Sequence, residues 1–256
     1  MPNTEQTAQF YKSLFTVWRS RFETFGTAYA WITALAFFTC AVVGYLIGSF
    51  VFGLVISRLR HDDIRSHGSG NAGATNVART YGTAAGIVTL IGDLGKGALA
   101  AAVGMWLFGT TGMAVAGFFV VIGHMYPLYF GFRGGKGVST AFGVSLVANP
   151  IVSVGLVVVF LIVFLGSHYV SLASVMAAFL YPLLMSAFMK AADMGDSPAI
   201  VMAVVTAVMV VFAHRANLKR LYNRLEPKLF FNAEKKAADL ERLEAERKEQ
   251  AKNKGK

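Results

Sequence analysis

Long apolar runs with few charged residues are the feature that most limits what this chain can fold into. Hydrophobic residues make up 55% of the 256 and charged residues only 15%, a composition too apolar for an ordinary soluble domain. At roughly 20 residues per membrane crossing, seven segments qualify as spans, at residues 31–57, 83–108, 110–132, 137–149, 150–166, 170–189 and 198–213. The sequence therefore predicts an all-α integral membrane protein, a bundle of about seven transmembrane helices.

The fourth and fifth spans are short and meet at Asn149-Pro150. One tilted crossing or a re-entrant turn is an alternative there. Either alternative would change the number of crossings and their parity.

Basic residues distinguish the two faces of the membrane. The loops after the second and fourth spans, at 109–111 and 149–150, are uncharged, and the loop after the sixth, at 190–197, carries one Lys against two Asp. The segments that follow the first, third and seventh spans are basic and contain Arg58, Arg60, Arg65, Arg79, Arg133, Lys136, Arg215, Lys219, Arg220 and Arg224. Because short cytoplasmic loops are enriched in Lys and Arg, the sequence predicts an outer N-terminus and a cytoplasmic C-terminus.

Composition divides the chain into an extension at residues 1–30, a transmembrane domain at 31–227 and a charged cytoplasmic tail at 228–256. Residues 10–25 have the apolar periodicity of an amphipathic helix lying on the outer leaflet, although a loosely ordered extension fits equally well. The tail mixes acidic, basic and small residues. We expect a solvated helix or a frayed end there, with no functional role.

The net charge of +10 does not indicate nucleic-acid binding, because more than half of the 24 Lys and Arg residues lie from Arg215 onward and form no basic stripe with stacking aromatics. The sequence has no cluster with metal-ligand spacing, so we expect no metal and no cofactor. No feature points to an obligate protein partner. The lipid bilayer is the partner that composition implies.

The first polar cluster, at residues 68–79, combines glycines with small polar side chains and ends at Arg79. It contains Gly-x-Gly-x-x-Gly, but a dinucleotide fingerprint requires a preceding strand, and here a span precedes it. Glycines let backbone N–H groups approach an anion, and the arginine fork suits phosphate. The cluster therefore favours an anion site over a plain connector.

The second cluster surrounds Lys136 with Gly134, Gly135 and Gly137. It is not a Walker A loop, because Phe130 and Gly137 stand where that loop needs Gly and Ser or Thr. A lysine among glycines at a helix start is a second candidate anion site.

The third cluster, at residues 214–221, places His214 and Asn217 on one helical face and Arg215 and Lys219 on another. A basic segment meeting anionic lipid explains Arg215, Lys219, Arg220 and Arg224, but not His214 and Asn217. These clusters and residues 167–174 all fall on the predicted cytoplasmic face, where four loops of a bundle can build one site.

Together these residues resemble the bacterial acyl-phosphate:glycerol-3-phosphate acyltransferases, the PlsY family. The motifs that carry the resemblance are Gly-Ser-Gly-Asn-x-Gly-Ala-Thr-Asn-x-x-Arg at 68–79, Gly-His-x-x-Pro at 123–127, Gly-Gly-Lys-Gly-Val at 134–138, Tyr-Val-Ser-Leu-Ala-Ser at 169–174 and His-Arg-x-Asn at 214–217. One departure is visible: Arg224 stands where the family commonly has glycine, two residues before Glu226. It leaves the turn geometry at Glu226 open.

The resemblance implies that acyl phosphate acylates the 1-hydroxyl of glycerol 3-phosphate, the first acylation of phospholipid synthesis, on the cytoplasmic side of the bacterial plasma (inner) membrane. The residues it makes candidates for catalysis are Ser69, Arg79, Lys136, His214 and Asn217; those for substrate binding are Gly68, Gly70, Asn71, Thr75, Asn76, Gly134, Gly135, Gly137 and Ser171. Arg79 and Lys136 are natural clamps for two phosphates. The resemblance favours direct attack, with the donor's phosphate taking the proton, over an acyl-Ser69 intermediate.

Three ionisable residues lie deeper, within the second and third spans: Asp93, Lys96 and His124. A charged side chain there costs about 2.5–3.5 kcal/mol, so each needs a partner. We expect them to form a structural polar contact between spans and not to take part in catalysis.

A transporter or flippase for a phosphorylated solute is the alternative function, since it would also use helices, glycines and buried charge. Transporters commonly contain internal repeats with broken helices near the midplane. No clear repeat is visible here, and the clusters collect at one face.

Overall fold

The computed structural model describes residues 28–194, 198–230 and 233–254, and all regular elements in these ranges are helical. The α-helices are α1 (Ala28–Ser49), α2 (Phe52–Leu59), α3 (Ala74–Tyr81), α4 (Thr83–Met125), α5 (Val138–Ala148), α6 (Pro150–Ser167), α7 (Val170–Ala191), α8 (Pro198–Ala213), α9 (Arg215–Tyr222) and α10 (Ala233–Lys254). Short 3-10 turns occur at Ile64–Ser66 and Leu128–Phe130. The all-α prediction is confirmed for these ranges; the amphipathic helix predicted at residues 10–25 lies outside the described residues.

Four helical stretches in the described ranges are long and apolar enough to cross a membrane: Trp31–Leu59, Thr83–Phe130, Pro150–Ser167 and Val170–Ala191. A fifth is added if α8 and α9, bent by 52° against each other, count as one broken span. Large apolar side chains on these helices are exposed, among them Trp31, Ile151 and Leu165. An exposed apolar surface of this kind is unfavourable in water but is typical of helices that contact lipid.

Helix α4 is a hairpin of two spans. Its 43 residues would be about 65 Å long if straight, twice the thickness of a bilayer core. The backbone leaves the helical region at Phe108 and Gly109, and Gly109 adopts φ +60°. Lys96 and His124, about 42 Å apart on a straight helix, are joined by a 2.9 Å contact between Nζ and Nδ1. The turn therefore lies where the sequence predicted the boundary between the second and third spans.

Glycines let α1 pack directly on the second half of this hairpin. A side chain at Gly44 would meet the backbone of Ala116, one at Gly48 the backbone of Val120, and one at Gly123 the backbone of Tyr45. Close approach of this kind is the usual basis of helix association in membranes, where lipid removes most of the hydrophobic driving force. The apolar core continues on the other side of the hairpin, against α5, α7 and α8.

Helix α5 falls within the predicted segment 137–149. It has 11 residues, about 16 Å of helix, roughly half the thickness of a bilayer core. Gly137 (φ +79°) precedes its first residue, and Asn149 separates it from α6. Asn149 also caps the N-terminus of α6 by accepting from Val152 N at 3.0 Å. The break at Asn149-Pro150 is present as predicted, and the count of seven crossings stays a prediction.

The glycine contacts of α1 generate a testable prediction. Gly48→Ala should destabilise the fold by about 1–3 kcal/mol, the usual range for overpacking, because the new methyl group collides with the backbone of Val120. The thermal midpoint of detergent-purified protein measures the effect. Gly95→Ala, on α4, is the matched control, since a methyl group there meets nothing within 4 Å; equal midpoints for the two variants would contradict the packing argument.

Candidate active site

A cavity of about 380 Å³ opens where the polar clusters meet. Its walls include residues from the first turns of four helices, α3, α5, α7 and α9. The predicted site residues that line it are Ser69, Asn71, Thr75, Asn76, Arg79, Lys136, Gly137, Ser171, His214 and Asn217. Helix N-termini and cations both favour anions, so the cavity is suited to bind negatively charged groups.

The glycine-rich loop before α3 is held in shape by the side chain of Asn76. Its Oδ1 accepts from Ser69 N at 3.0 Å, and its Nδ2 donates to His67 O at 3.0 Å and Ile64 O at 3.3 Å. Gly68 and Gly70 adopt φ +56° and +70°, a region that side chains disfavour. Asn76 was predicted to bind substrate, and the structure gives its amide three backbone partners within the loop.

Arg79 faces the cavity from α3. Its Nη2 donates to the carbonyls of Pro227 and Lys228, both at 3.3 Å. Burial lowers the pKa of this guanidinium, which nevertheless stays charged because arginine titrates so far above neutrality. Arg79 is thus a fixed cation whose position depends on a distant part of the chain.

Lys136 is the second cation of the cavity. The loop that carries it is paired with the end of α4, through Gly134 N to Met125 O at 3.0 Å and Gly135 N to His124 O at 3.1 Å. Lys136 Nζ donates to Asn217 Oδ1. Burial lowers the pKa of the Lys136 ammonium to about 8.

His214 and Asn217 are buried in the same wall, as predicted from their shared helical face. His214 Nδ1 contacts Val210 O at 2.8 Å. Since a carbonyl oxygen only accepts, Nδ1 carries the proton and Nε2 is the nitrogen able to accept. Asn217 Nδ2 donates to Glu226 Oε1 at 2.7 Å, so both ends of this amide are engaged.

Glu226 is a functional candidate that the sequence left open. It is buried, and besides Asn217 it accepts from Arg220 Nε at 2.8 Å. Arg220, interpreted from the sequence as a lipid-facing residue, is therefore paired inside the protein. The turn before Glu226 is made by Arg224 in the left-handed region (φ +57°), the conformation that a glycine would adopt without cost.

Asp93, Lys96 and His124 meet, as predicted, and are buried. Lys96 Nζ lies 3.1 Å from Asp93 Oδ1 and 2.9 Å from His124 Nδ1, and donates to the carbonyls of Gly48 (2.8 Å) and Phe50 (2.9 Å) at the end of α1. Asp93 also accepts from the backbone N–H that begins α2 at 3.3 Å. Lys96 and Asp93 thus supply hydrogen-bond partners for the backbone groups on both sides of the break between α1 and α2. Asp93 and His124 also line the cavity.

Some predicted residues lie beside the cavity and not in it. Gly70, Gly134 and Gly135 line an adjoining depression of about 340 Å³, together with Arg133 and Arg215. Lys136 lies in both spaces. Gly68 shapes the loop through its backbone conformation.

Apolar residues form a wall that sequence reasoning missed, comprising Leu90, Phe160, Phe164, Val170 and Leu229. They sit in or beside apolar runs, where the pattern does not separate a cavity wall from a lipid-facing surface. Within the described ranges, no three His, Cys, Asp or Glu side chains converge on a metal-binding geometry.

The chain is similar to known glycerol-3-phosphate acyltransferases. A family model described as glycerol-3-phosphate acyltransferase matches residues 38–224. A glycerol-3-phosphate acyltransferase of Geobacillus kaustophilus is 42% identical over 189 residues, covering 73% of this chain and 93% of the relative. The enzyme of the same name from Bacillus subtilis is 39% identical, covering 73% and 95%.

Two solved structures are also similar. Both are of PlsY (YgiH), described as an integral membrane glycerol 3-phosphate acyltransferase. Its glycerol 3-phosphate form has a TM-score of 0.70 and 38% identity, covering 76% of this chain and 96% of that one. Its lysophosphatidic acid form has a TM-score of 0.68 and 37% identity, covering 76% and 95%.

The buried polar contact makes a prediction about folding. Lys96→Met should cost about 3–5 kcal/mol, the range for removing one partner of a buried pair, because it leaves Asp93 and the carbonyls of Gly48 and Phe50 without their cation. Folded yield and thermal midpoint in detergent measure the loss. Lys190→Met, at an exposed lysine, is the control; normal yield and midpoint for Lys96→Met would show that the contact is not structural.

The environment of Lys136 makes a prediction about titration. Competitive acetylation across a pH series, followed on the peptide that contains Lys136, should reach half-maximal reactivity near pH 8, against about 10.4 for an ordinary lysine. Below that pH the ammonium is protonated and unreactive. Inorganic phosphate should move the midpoint upward, because a nearby anion favours the charged form. A midpoint above pH 10 without phosphate would contradict the burial argument.

Proposed function

The chain belongs to the glycerol-3-phosphate acyltransferase family, and we propose that it transfers an acyl group from acyl phosphate to the 1-hydroxyl of glycerol 3-phosphate. The products would be 1-acylglycerol 3-phosphate (lysophosphatidic acid) and phosphate, in the first acylation step of phospholipid synthesis. The solved relatives, in glycerol 3-phosphate and lysophosphatidic acid forms, support this substrate and product. The acyl phosphate donor rests on the motif resemblance.

The observation that carries the proposal is one cavity lined by the partly buried cations Arg79 and Lys136, in addition to the Arg220–Glu226 ion pair. Both proposed substrates carry a phosphate, and two anions bound in one cavity repel each other unless nearby cations compensate their charge. Charges interact more strongly in a partly desolvated site than in water. Arg79 and Lys136 supply that compensation, and Arg133 and Arg215 add charge at the adjoining depression.

In the proposed reaction, the glycerol 3-phosphate hydroxyl oxygen attacks the acyl carbon. The bond from that carbon to the phosphate oxygen breaks, and the departing phosphate takes the hydroxyl proton, so that no side chain has to act as base. The Lys136 ammonium stabilises charge that develops on the oxygens. His214, with Nε2 able to accept, orients the hydroxyl.

Smaller groups complete the proposed site. Ser171 Oγ is buried with no hydrogen-bond partner in the described protein, and it lines the cavity. An unpaired buried hydroxyl is costly, so a substrate oxygen is its natural partner. We assign Ser69, Asn71 and Thr75 to substrate contacts, and the glycines of both loops to backbone N–H donors.

We place the enzyme in the bacterial inner membrane with the cavity facing the cytoplasm, where soluble glycerol 3-phosphate is available. The basic residues that follow the first, third and seventh predicted spans support this orientation. The proposed organisation keeps an outer extension at 1–30, the transmembrane domain at 31–227 and a cytoplasmic segment at 228–256.

Detergent-purified protein tests the proposal without any membrane partition. With acyl phosphate and glycerol 3-phosphate it should form lysophosphatidic acid, and with acyl-CoA as donor it should not. Lys136→Ala should lower turnover by about 10²–10³-fold, the usual effect of losing one electrostatic contact to the transition state. Lys190→Ala, at an exposed lysine about 28 Å along α7 from Ser171, should leave turnover unchanged.

Several results would overturn parts of this proposal. Absence of product would remove the function and favour a transporter, whereas equal use of acyl-CoA would remove the specificity for acyl phosphate. Ping-pong kinetics, or a trapped acyl group on Ser69, would replace direct transfer by a covalent intermediate.

A further inference from the structure

The C-terminal helix α10 lies beyond the part of the chain that the family shares. The family match ends at residue 224, and the relatives cover about three quarters of this chain. Sequence composition predicts only a solvated helix or a frayed end there. In the structure, α10 instead contacts residues 223–230, which we call the strap.

The contacts between α10 and the strap are made to the strap backbone. Arg242 Nη1 donates to Arg224 O at 2.6 Å and its Nη2 to Glu226 O at 3.3 Å. Asp239 Oδ2 accepts from Lys228 N at 2.9 Å. Gln250 Nε2 adds a donor to Asn223 O at 2.8 Å, nearer the helix end. The strap has no helix or sheet of its own, and irregular backbone needs such outside partners.

The contact face of α10 includes buried side chains. Asp239 and Leu243, one turn apart, are 7% and 6% exposed. Arg242 Nε also donates to Asp239 Oδ1 at 2.9 Å. This bond orients the Arg242 guanidinium toward the strap. Helix α10 thus presents one face to the strap.

On its other side the strap organises the cavity. The Glu226 carboxylate holds Asn217 and Arg220, while the carbonyls of Pro227 and Lys228 accept from Arg79. A single layer of chain therefore separates Arg242 and Asp239 from residues of the proposed site.

The turn at Arg224 shows why the strap needs support. A non-glycine residue in the left-handed region is disfavoured, and this chain has arginine there with φ +57°. The carbonyl of that same residue receives the shortest bond from Arg242. The helix that lies beyond the family match thus contacts the strained turn itself.

We propose that α10 is a clamp on the active site, in which Asp239 and Arg242 are positioning residues. They hold the strap so that Glu226 orients Asn217 and the carbonyls of Pro227 and Lys228 orient Arg79. The effect on catalysis rests on the proposed function, whereas the clamping of the strap does not.

Steady-state kinetics of the full-length protein test the catalytic part. Arg242→Ala should raise the KM for glycerol 3-phosphate roughly three- to tenfold, the loss expected for about one net hydrogen-bonded contact, because the phosphate clamp Arg79 is less well held. Loss of fold alone would lower the amount of active enzyme, and so the apparent kcat, at unchanged KM. Arg247→Ala, at an exposed arginine of the same helix, is the matched control and should behave as wild type.

A charge swap separates docking from helix stability. The double variant Asp239→Arg with Arg242→Asp keeps an ion pair at i,i+3 but reverses both groups that face the strap. It should remain impaired, as Arg242→Ala is. Recovery to wild-type KM would mean that the pair serves only α10 itself, and would overturn the proposal.

Hydrogen exchange of peptides covering 223–230 gives a readout that needs no activity. Asp239→Ala should speed exchange there, at Lys228 N above all, because it removes that amide's acceptor. Arg242→Ala should speed exchange across the same peptides by loosening the strap, while Arg247→Ala should not. Unchanged exchange overturns the clamp whatever the kinetics show. If wild type lacked acyl transfer, faster exchange would still support the clamp while the proposed function failed.

Discussion

The buried contacts of the Lys96 ammonium, with Asp93, His124 and the backbone at the end of α1, are the interaction on which most of the architecture depends. Where α1 ends and α2 begins, backbone carbonyls lose their helical partners, and a bilayer offers no water to replace them. Lys96 reaches two of these carbonyls from the first half of the α4 hairpin, and Asp93 accepts the N–H that starts α2. His124, on the second half, completes the group. One cation thus joins the broken first helix to both arms of the hairpin.

The same group connects the fold to the cavity. The His124 carbonyl accepts from Gly135 N, and a side chain at Gly135 would collide with the His124 ring. The loop that carries Lys136 therefore packs against His124 of the buried Asp93–Lys96–His124 group. Asp93 and His124 also line the cavity, so this group both stabilises the fold and positions Lys136.

The cavity is organised by segments far apart in sequence. Arg79 is held by carbonyls about 150 positions later, Lys136 donates to Asn217, and Asn217 in turn donates to Glu226. The strap that carries Glu226 is contacted by α10, a helix outside the shared family region. An added element can support a site without entering it, because the strap has no helix or sheet of its own and α10 supplies part of its backbone hydrogen bonding.

The sequence by itself determined the membrane class, the α4 turn near Gly109 and the residue types of the site, because apolar run length, turn glycines and charge follow from local chemistry. It also indicated that Asp93, Lys96 and His124 need partners, since a buried charge demands one wherever it lies. Tertiary structure decided the rest: that Glu226 and Arg220 are partners, that Arg224 adopts a glycine-like turn, and that Phe160 and Phe164 face the cavity. Each depends on which distant segments come together, and long-range contacts are not encoded in the period or composition of any one segment.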